Sequence, residues 1–299
     1  MKRIALLVNG LAGNGSLQRQ TYQIVEDLTI DGNEVTVFPI QPEKNLLPEE
    51  FLEKKGQEFD MIVCGGGDGS LNHIVNELMK MNPRPILGYI PAGTTNDFAR
   101  SIAIPTNVSN ACKVITSGTP FSYDIGKLNE RYLNYIAAFG AFSSISYSTD
   151  QSIKSIFGYT AYILSAITEF PQQMNYKRHM KIETDSFSIE DDFIFGAIFS
   201  SKSIGGFDIS SYKEACLDDG KFEILLIKHP ENILDLGQVV QPLMASSLDS
   251  PYIVSASITH AKIESKDIAW SIDGELGETC DNAIFQVYPK AIQIMVPKE

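Results

Sequence analysis

The sequence predicts two domains, an α/β domain followed by an all-β domain. Residues 1–122 alternate apolar strand segments with amphipathic helices, which is typical of a doubly wound parallel sheet with helices on both faces. Beyond that point strand patterns separated by turn signals dominate, which favours an antiparallel β-sandwich. The length of 299 residues agrees with two domains at about 150 residues each. We therefore expect an α/β domain over 1–122 and a β-sandwich over 123–299, with the last strand free to return to the first domain.

The elements of the first domain follow from the spacing of their apolar residues. The apolar run at 4–8 predicts a buried strand, which the glycine-rich segment 9–15 ends. Ser16 is then expected to cap a helix that Gly32 stops. The same reasoning gives further strands at 34–40, 61–64 and 86–90, and further helices at 71–79, 98–102 and 108–115.

The second domain is predicted to be almost entirely strand. Runs rich in β-branched and aromatic residues, separated by turn residues, carry this prediction. The expected strands are 121–128, 131–142, 178–183, 192–200, 222–228, 252–265, 268–272, 283–288 and 292–296. One helix is expected at 153–170.

The net charge and the length of the apolar stretches argue against some classes of function. There are 24 Lys and Arg against 37 Asp and Glu, a net charge of −13. This argues against broad nucleic-acid binding, which needs a basic surface, and against purely electrostatic docking on anionic membranes. No apolar stretch approaches about 18 residues, so we expect no transmembrane segment.

The cysteines indicate neither a zinc site nor a disulfide framework. Cys64, Cys112, Cys216 and Cys280 are widely scattered, and none belongs to a Cys-x-x-Cys pair. Reduced thiols in a cytoplasmic protein are the expected state.

The strongest chemical signal is the segment CGGGDGS at 64–70, between a buried strand and an amphipathic helix. Successive glycines let the backbone approach a ligand closely, and their N–H groups can converge on phosphate oxygens at a helix N-terminus. The alternative is a tight turn without a ligand. Three glycines cost the folding chain too much conformational entropy for that to be favoured.

The residues at the required positions exclude two common phosphate-binding motifs. Ser70 and Asn72 stand where a dinucleotide fingerprint would need its last glycine. Gly10 and Gly15 have the P-loop spacing, but Ser16 follows instead of the lysine.

Two later segments carry side chains that suit a ligand site. PAGTTNDFAR, 91–100, follows the fourth strand, and ligands bind at the carboxyl ends of strands in doubly wound sheets. The alternative is that Thr95 or Asn96 only caps the next helix. SIDGE, 271–275, ends an apolar strand, and taken alone its Asp-Gly is a hairpin signal.

Taken together, these segments resemble the bacterial diacylglycerol kinase family of soluble lipid kinases, which is related to sphingosine kinases. The resemblance rests on GGGDGSLN at 65–72, GTTNDFAR at 93–100, DDGKF at 218–222 and DGE at 273–275. GGDG alone is weaker, because NAD kinases share it. The other segments point to the lipid kinases.

The resemblance implies an active-site cleft between the domains, with ATP bound on the first. The nucleotide would be lined by Asn9, Gly13, Gly65, Gly66, Gly67, Asp68, Gly69, Ser70, Leu71, Asn72 and Thr94. Asp68 and Asp97 would hold the catalytic Mg²⁺, mostly through water. Asp273 would be the base for the lipid hydroxyl, with Glu275 as the next candidate.

The resemblance also implies a second, structural Mg²⁺. Asp219 would supply its carboxylate, with main-chain oxygens near Cys216 and Lys221. A hairpin turn without metal is an equally weighted alternative, because Asp and Gly favour turns unaided.

The predicted function is thus ATP- and Mg²⁺-dependent phosphorylation of a diacylglycerol-like lipid hydroxyl in phospholipid metabolism. The lipid would be met at the inner membrane face by peripheral contact, and a homodimer is left open. The aromatic segment 157–162 is a candidate lipid-facing wall, although core packing is the commoner role. A GGDG-type NAD kinase and a catalytically silent lipid- or nucleotide-binding protein are the alternatives. The joint presence of Asp68, Asp97 and Asp273 argues against the silent protein.

Overall fold

The chain folds as a strand-rich mixed α/β protein. A computed structural model describes residues 1–140, 177–200, 203–204, 207–208, 216–245 and 247–298. Two compact units emerge from its backbone contacts. The first comprises Met1–Ile125, Arg131–Asn134 and Tyr288–Glu299, and the second Gly126–Glu130 and Tyr135–Val287. The predicted helix 153–170, with its aromatic segment 157–162, lies outside the described residues.

The first unit alternates strands and helices, as the apolar spacing predicts. Its elements are β1 Arg3–Asn9, α1 Ala12–Thr29, β2 Glu34–Ile40, α2 Pro48–Lys55, β3 Met61–Gly66, α3 Asp68–Leu78, β4 Ile86–Pro91, α4 Asp97–Ser101, α5 Val108–Ser117, β5 Thr119–Leu128 and β6 Arg131–Leu133. The short helix α2 was not predicted, because only two of its eight residues, Phe51 and Leu52, are large and apolar.

A parallel sheet in the order β2-β1-β3-β4 forms the centre of this unit. Every residue of β3 is buried, as expected of a strand covered on both faces. Leu6, Val63 and Ile90 pack in one core with Leu17 of α1 and Ile115 of α5. Because the strands are parallel, the loops that follow β1, β3 and β4 all leave the same edge of the sheet.

The start of α1 differs from the prediction. The helix begins at Ala12 rather than after a Ser16 cap, and no side chain caps it. The chain turns earlier because the Asn9 Oδ1 accepts the N–H of Leu11 at 3.1 Å. The first turn also contains Gly13 and Gly15 with positive φ angles of 59° and 75°.

The described part of the second unit is antiparallel sheet with one helix. Its elements are β7 Ile136–Gly140, β8 Arg178–Thr184, β9 Ser188–Phe199, β10 Ser203–Ile204, β11 Phe207–Asp208, β12 Phe222–Lys228, α6 Ile233–Met244, β13 Ile253–Ile258, β14 His260–Ile272 and β15 Glu275–Val296. The main strands follow the order β13-β12-β9, then β7 and β8, then β14-β15. The face-to-face packing of a sandwich stays a prediction.

Several strand boundaries and one helix differ from the prediction. The strand predicted over 131–142 divides into β6 and β7, and β9 begins at Ser188 rather than at 192. The expected break near residue 266 is a bulge inside β14, where the pairing shifts between Glu264 and Ile268. The expected break near residue 290 is a bend inside β15, where Lys290 has a positive φ of 48°. Strand 252–265 instead divides at Thr259. The helix α6 was missed because Gly237 and Pro242 disfavour helices.

The end of β15 belongs to the first unit, where Ile294 pairs in parallel with Leu87 of β4. Among the described helices, none is both long and apolar enough to cross a membrane.

Candidate functional site

The glycine turn after β3 is packed tightly against the loop after β4. Gly67 has extended backbone angles, φ −90° and ψ −176°, and α3 begins at Asp68. A Cβ on Gly67 would lie 3.1 Å from the Cα of Gly93, and a Cβ on Gly66 would lie 2.6 Å from the Cβ of Ser70. Gly67 and Gly93 therefore approach backbone to backbone, and little room is left for a side chain at Gly66 or Gly67.

Asn96 closes the loop after β4. The Gly93 N–H donates to Asn96 Oδ1 at 2.8 Å, and Asn96 Nδ2 donates back to the Gly93 carbonyl at 2.9 Å. The residue stands at the start of α4 with a left-handed φ of 51°. Its side chain does not cap that helix, so the capping interpretation is wrong for Asn96: the same groups are used to fix the loop.

The carboxylate of Asp68 connects the two loops. Asp68 Oδ2 accepts the backbone N–H of Asp97 at 3.1 Å and the hydroxyl of Thr95 at 3.4 Å. Asp68 is 9% exposed and Asp97 is 2% exposed. The backbone of Asp97 is thus bonded to the Asp68 carboxylate in a largely buried place. A magnesium ion there stays a prediction.

The negative charge at this place affects its buried neighbours. Burial, followed by the charge of Asp68, raises the pKa of the Tyr89 hydroxyl well above its usual value, and Asp97 adds to the effect. Burial and then Asp68 raise the pKa of the Cys64 thiol in the same direction. Both groups stay protonated, and Tyr89 donates to Asp68 Oδ1 at 3.4 Å.

The loop after β1 joins the same assembly. Asn9 Nδ2 donates to the Ser70 hydroxyl at 3.0 Å, on the first turn of α3. A Cβ on Gly13 would meet the Ser16 hydroxyl and would lie 3.3 Å from the Ala92 carbonyl. The loops after β1, β3 and β4 are therefore in mutual contact at the carboxyl edge of the sheet.

The remaining residues predicted to line the nucleotide differ in their exposure and in the hydrogen bonds that they already make. The side chain of Leu71 lies in the core, and its N–H already donates to the Gly67 carbonyl. Asn72 is 1% exposed, and its amide group donates to the Tyr132 carbonyl at 2.9 Å and accepts from Arg131. Thr94 is exposed, whereas Gly65 lies near the end of β3 and Gly69 in the first turn of α3.

Asp273 lies in the second unit, in a two-residue hairpin turn between β14 and β15. Ile272 pairs with Glu275, and Asp273 and Gly274 have positive φ angles of 47° and 82°, as a type I′ turn requires. The hairpin alternative is therefore correct for the backbone.

The Asp273 side chain does more than form the turn. It is 2% exposed, and its Oδ1 accepts the N–H groups of Tyr135 and Ile136, each at 3.1 Å. Two backbone donors stabilise the carboxylate and fix its direction. A turn alone would leave this group in water, whereas here the carboxylate also ties the turn to the backbone at the start of β7. Glu275 is exposed.

The turn that was predicted to bind a structural metal is held by its own hydrogen bonds and by the conformation of its glycine. Asp219 Oδ1 accepts the Lys221 N–H at 3.0 Å, and Gly220 has a positive φ of 78°. The Cys216 thiol donates to the neighbouring Asp218 at 3.1 Å. Asp219, Cys216 and Lys221 are all exposed. A metal there stays a prediction.

Sequence reasoning missed Tyr89, Asn96 as a loop-closing residue, and Asp124. Asp124 is fully buried in β5, where its Oδ1 accepts the Lys290 N–H at 2.7 Å. A carboxylate inside the strand sequence YDIG is itself a signal, because charged groups are rarely buried without a role.

Comparison with known proteins identifies the family. The model of the diacylglycerol kinase catalytic domain matches residues 3–128, which include all three loops of the first unit. A diacylglycerol kinase of Staphylococcus epidermidis is 30% identical over 302 residues, covering 100% of this chain and 93% of the relative. A diacylglycerol kinase of Bacillus subtilis is 26% identical and covers 100% of this chain and 98% of the relative.

The fold is also shared with a solved structure. The crystal structure of a diacylglycerol kinase from Bacillus anthracis aligns with a TM-score of 0.73 and 20% identity, over 98% of this chain and 96% of that chain. The family resemblance read from the motifs is confirmed. The chain belongs to the diacylglycerol kinase family of lipid kinases.

Proposed function

We propose that the protein transfers the γ-phosphate of ATP to the hydroxyl of a diacylglycerol-like lipid in a Mg²⁺-dependent reaction. The observation that carries the proposal is the bond between the Asp97 N–H and the buried Asp68 carboxylate, in loops that meet at Gly67 and Gly93. Phosphoryl transfer depends on positioning and charge neutralisation more than on covalent chemistry. Acidic groups beside a glycine-rich loop suit that need through the magnesium ion that they would hold.

The residues present fit a magnesium ion. Asp68 and Asp97 offer carboxylate oxygens with the Thr95 hydroxyl nearby, and Mg²⁺ prefers such oxygen ligands while keeping several waters. In the described part of the chain no three His, Cys, Asp or Glu side chains cluster as an all-protein cage. An ion held by one or two carboxylates plus substrate phosphates is the usual arrangement. When bound, Mg²⁺ neutralises charge on the transferring phosphoryl group.

Asp273 is the proposed general base. A lipid alcohol is not ionised at neutral pH, so a carboxylate within reach of its proton assists the attack. The Tyr135 and Ile136 N–H groups hold the Asp273 carboxylate in place, which limits the motion that would misdirect proton transfer. Exposed Glu275, two residues on, is the second candidate.

The acceptor is proposed from the family. The relatives are named diacylglycerol kinases, which favours a lipid alcohol over NAD as the acceptor. Because such a lipid resides in a bilayer, the proposal includes peripheral contact with the inner face of the membrane from the cytoplasm.

The proposal is tested by following the label of γ-³²P-ATP. With Mg²⁺ and dioleoylglycerol in mixed micelles, we expect label in the lipid fraction as phosphatidic acid. Omission of the divalent cation in excess chelator should abolish the transfer, because Asp68 and Asp97 then have no ion to hold. Full transfer in chelator would contradict the proposed role of these carboxylates.

Gly67→Ala should weaken ATP binding. Its Cβ would press on the Gly93 Cα at 3.1 Å and move the N–H groups that are proposed to bind the phosphates. Loss of one hydrogen bond to a charged group costs about 1.5–3 kcal/mol, which is roughly 10- to 100-fold in the dissociation constant. Titration calorimetry with ATP measures it.

Gly237→Ala is the matched control, because nothing lies within 4 Å of a Cβ at that position in α6. Equal ATP affinity of Gly67→Ala and wild type would show that this turn does not bind phosphate.

A further inference from the structure

Tyr89 is a buried polar group to which the proposed reaction gives no role. It lies in β4, whose other residues are Ile, Leu, Gly, Ile and Pro, and it pairs with Cys64 of β3. The side chain is 1% exposed. A phenylalanine would fill this core equally well, so the hydroxyl needs a separate explanation.

The hydroxyl of Tyr89 reaches the carboxylate of Asp68. It donates to Oδ1 at 3.4 Å, while the Asp97 N–H and the Thr95 hydroxyl donate to Oδ2 at 3.1 and 3.4 Å. The carboxylate is thus held at both oxygens. Rotation about its Cβ–Cγ bond would break contacts on both sides.

We propose that Tyr89 is a positioning residue that holds the Asp68 carboxylate in the orientation in which it binds the metal ion. The inference rests on the proposed function, since it assumes that Asp68 serves the metal. Partners that orient metal-binding groups from behind typically change metal affinity by about 10- to 100-fold when they are removed. Tyr89→Phe removes the hydroxyl and keeps the ring.

The first unit offers a matched control in Tyr123. This tyrosine is also fully buried, and its hydroxyl donates to Asn134 Oδ1 at 3.0 Å. Tyr123→Phe therefore removes a buried hydroxyl whose acceptor is Asn134 and not Asp68. A purely structural effect should be common to both variants, whereas an effect on the metal should be confined to Tyr89→Phe.

The experiment is a titration of the full-length protein with Mn²⁺ in the presence of ADP, with free Mn²⁺ read from its electron paramagnetic resonance signal. Mn²⁺ shares the oxygen preference of Mg²⁺. We expect the Mn²⁺ dissociation constant of Tyr89→Phe to be about 10-fold or more above wild type. Tyr123→Phe should stay within about threefold, below that range. Circular dichroism melting sets a temperature at which every variant is folded.

A double-mutant cycle gives the second measurement. In an Asp68→Asn background, Tyr89→Phe should cause no further loss of Mn²⁺ affinity. Wild-type affinity in Tyr89→Phe, equal losses in the two tyrosine variants, or an undiminished loss in the Asp68→Asn background would each overturn the inference. Absence of Mn²⁺ binding by wild type would instead refute the proposed metal site itself.

Discussion

Asp273→Asn should lower the turnover of lipid phosphorylation by about 10²- to 10⁴-fold, the usual cost of losing a general base. The asparagine Oδ1 can still accept the N–H groups of Tyr135 and Ile136, so the buried anchor survives. The amide cannot take the proton of the acceptor hydroxyl. We expect ATP affinity to be nearly unchanged, because the nucleotide loops belong to the first unit. Initial rates with saturating lipid, together with ATP titration calorimetry, separate these effects.

Asp185→Asn is the matched control for this variant. Asp185 also lies in a turn of the second unit and accepts the backbone N–H of Thr259 at 3.1 Å, yet it is exposed. It should retain wild-type turnover. Turnover of Asp273→Asn within about threefold of wild type, far below the expected range, would exclude Asp273 as the base and direct attention to Glu275.

Asp68→Asn should reduce phosphoryl transfer by about 100-fold or more. Charge stabilisation by a bound metal is worth several kcal/mol, and about 1.4 kcal/mol corresponds to a tenfold change in rate. Asparagine keeps an oxygen for the Asp97 N–H but loses the negative charge that attracts the ion. Higher Mg²⁺ should restore part of the activity, because the defect lies in metal affinity. Rates measured over a Mg²⁺ series check this.

Asp60→Asn provides the same charge change at the opposite edge of the sheet. Asp60 precedes β3 and accepts the N–H of Arg3 at 2.7 Å, so it also bonds to backbone. Unchanged Mg²⁺ dependence in Asp68→Asn, or an equal loss in Asp60→Asn, would contradict the role given to Asp68.

Much of the fold could be predicted because the pattern of apolar and polar residues in each segment agrees with the burial of that segment in the folded protein. The strands Glu34–Ile40 and Phe222–Lys228 have the predicted bounds, since each is a short β-rich run between turn residues. The predicted breaks within β14 and β15 are a bulge and a bend. Asp267 and Lys290 adopt positive φ there, while pairing with neighbouring strands continues past them. Sequence shows the local disturbance but not the pairing that overrides it.

The residues of the site also divide into those that the sequence could predict and those that it could not. The glycine loops and Asp68 were predictable, because parallel strands bring their carboxyl ends to one edge. The use of Asn96 to close its loop depends on contacts made only after folding. Tyr89 is separated by 21 residues from the carboxylate that it contacts. Asp273 combines both cases: its turn is local, whereas its burial depends on Tyr135 and Ile136, distant in sequence.

The central claim, that a lipid hydroxyl receives the γ-phosphate of ATP, is tested most directly by a competition between acceptors. The protein is given γ-³²P-ATP, Mg²⁺, dioleoylglycerol, sphingosine and NAD together, and each product is separated and counted. We predict label in phosphatidic acid, none in NADP, and none in any product with Asp273→Asn over the same interval. Label in NADP, or equal lipid labelling by wild type and Asp273→Asn, would contradict the account.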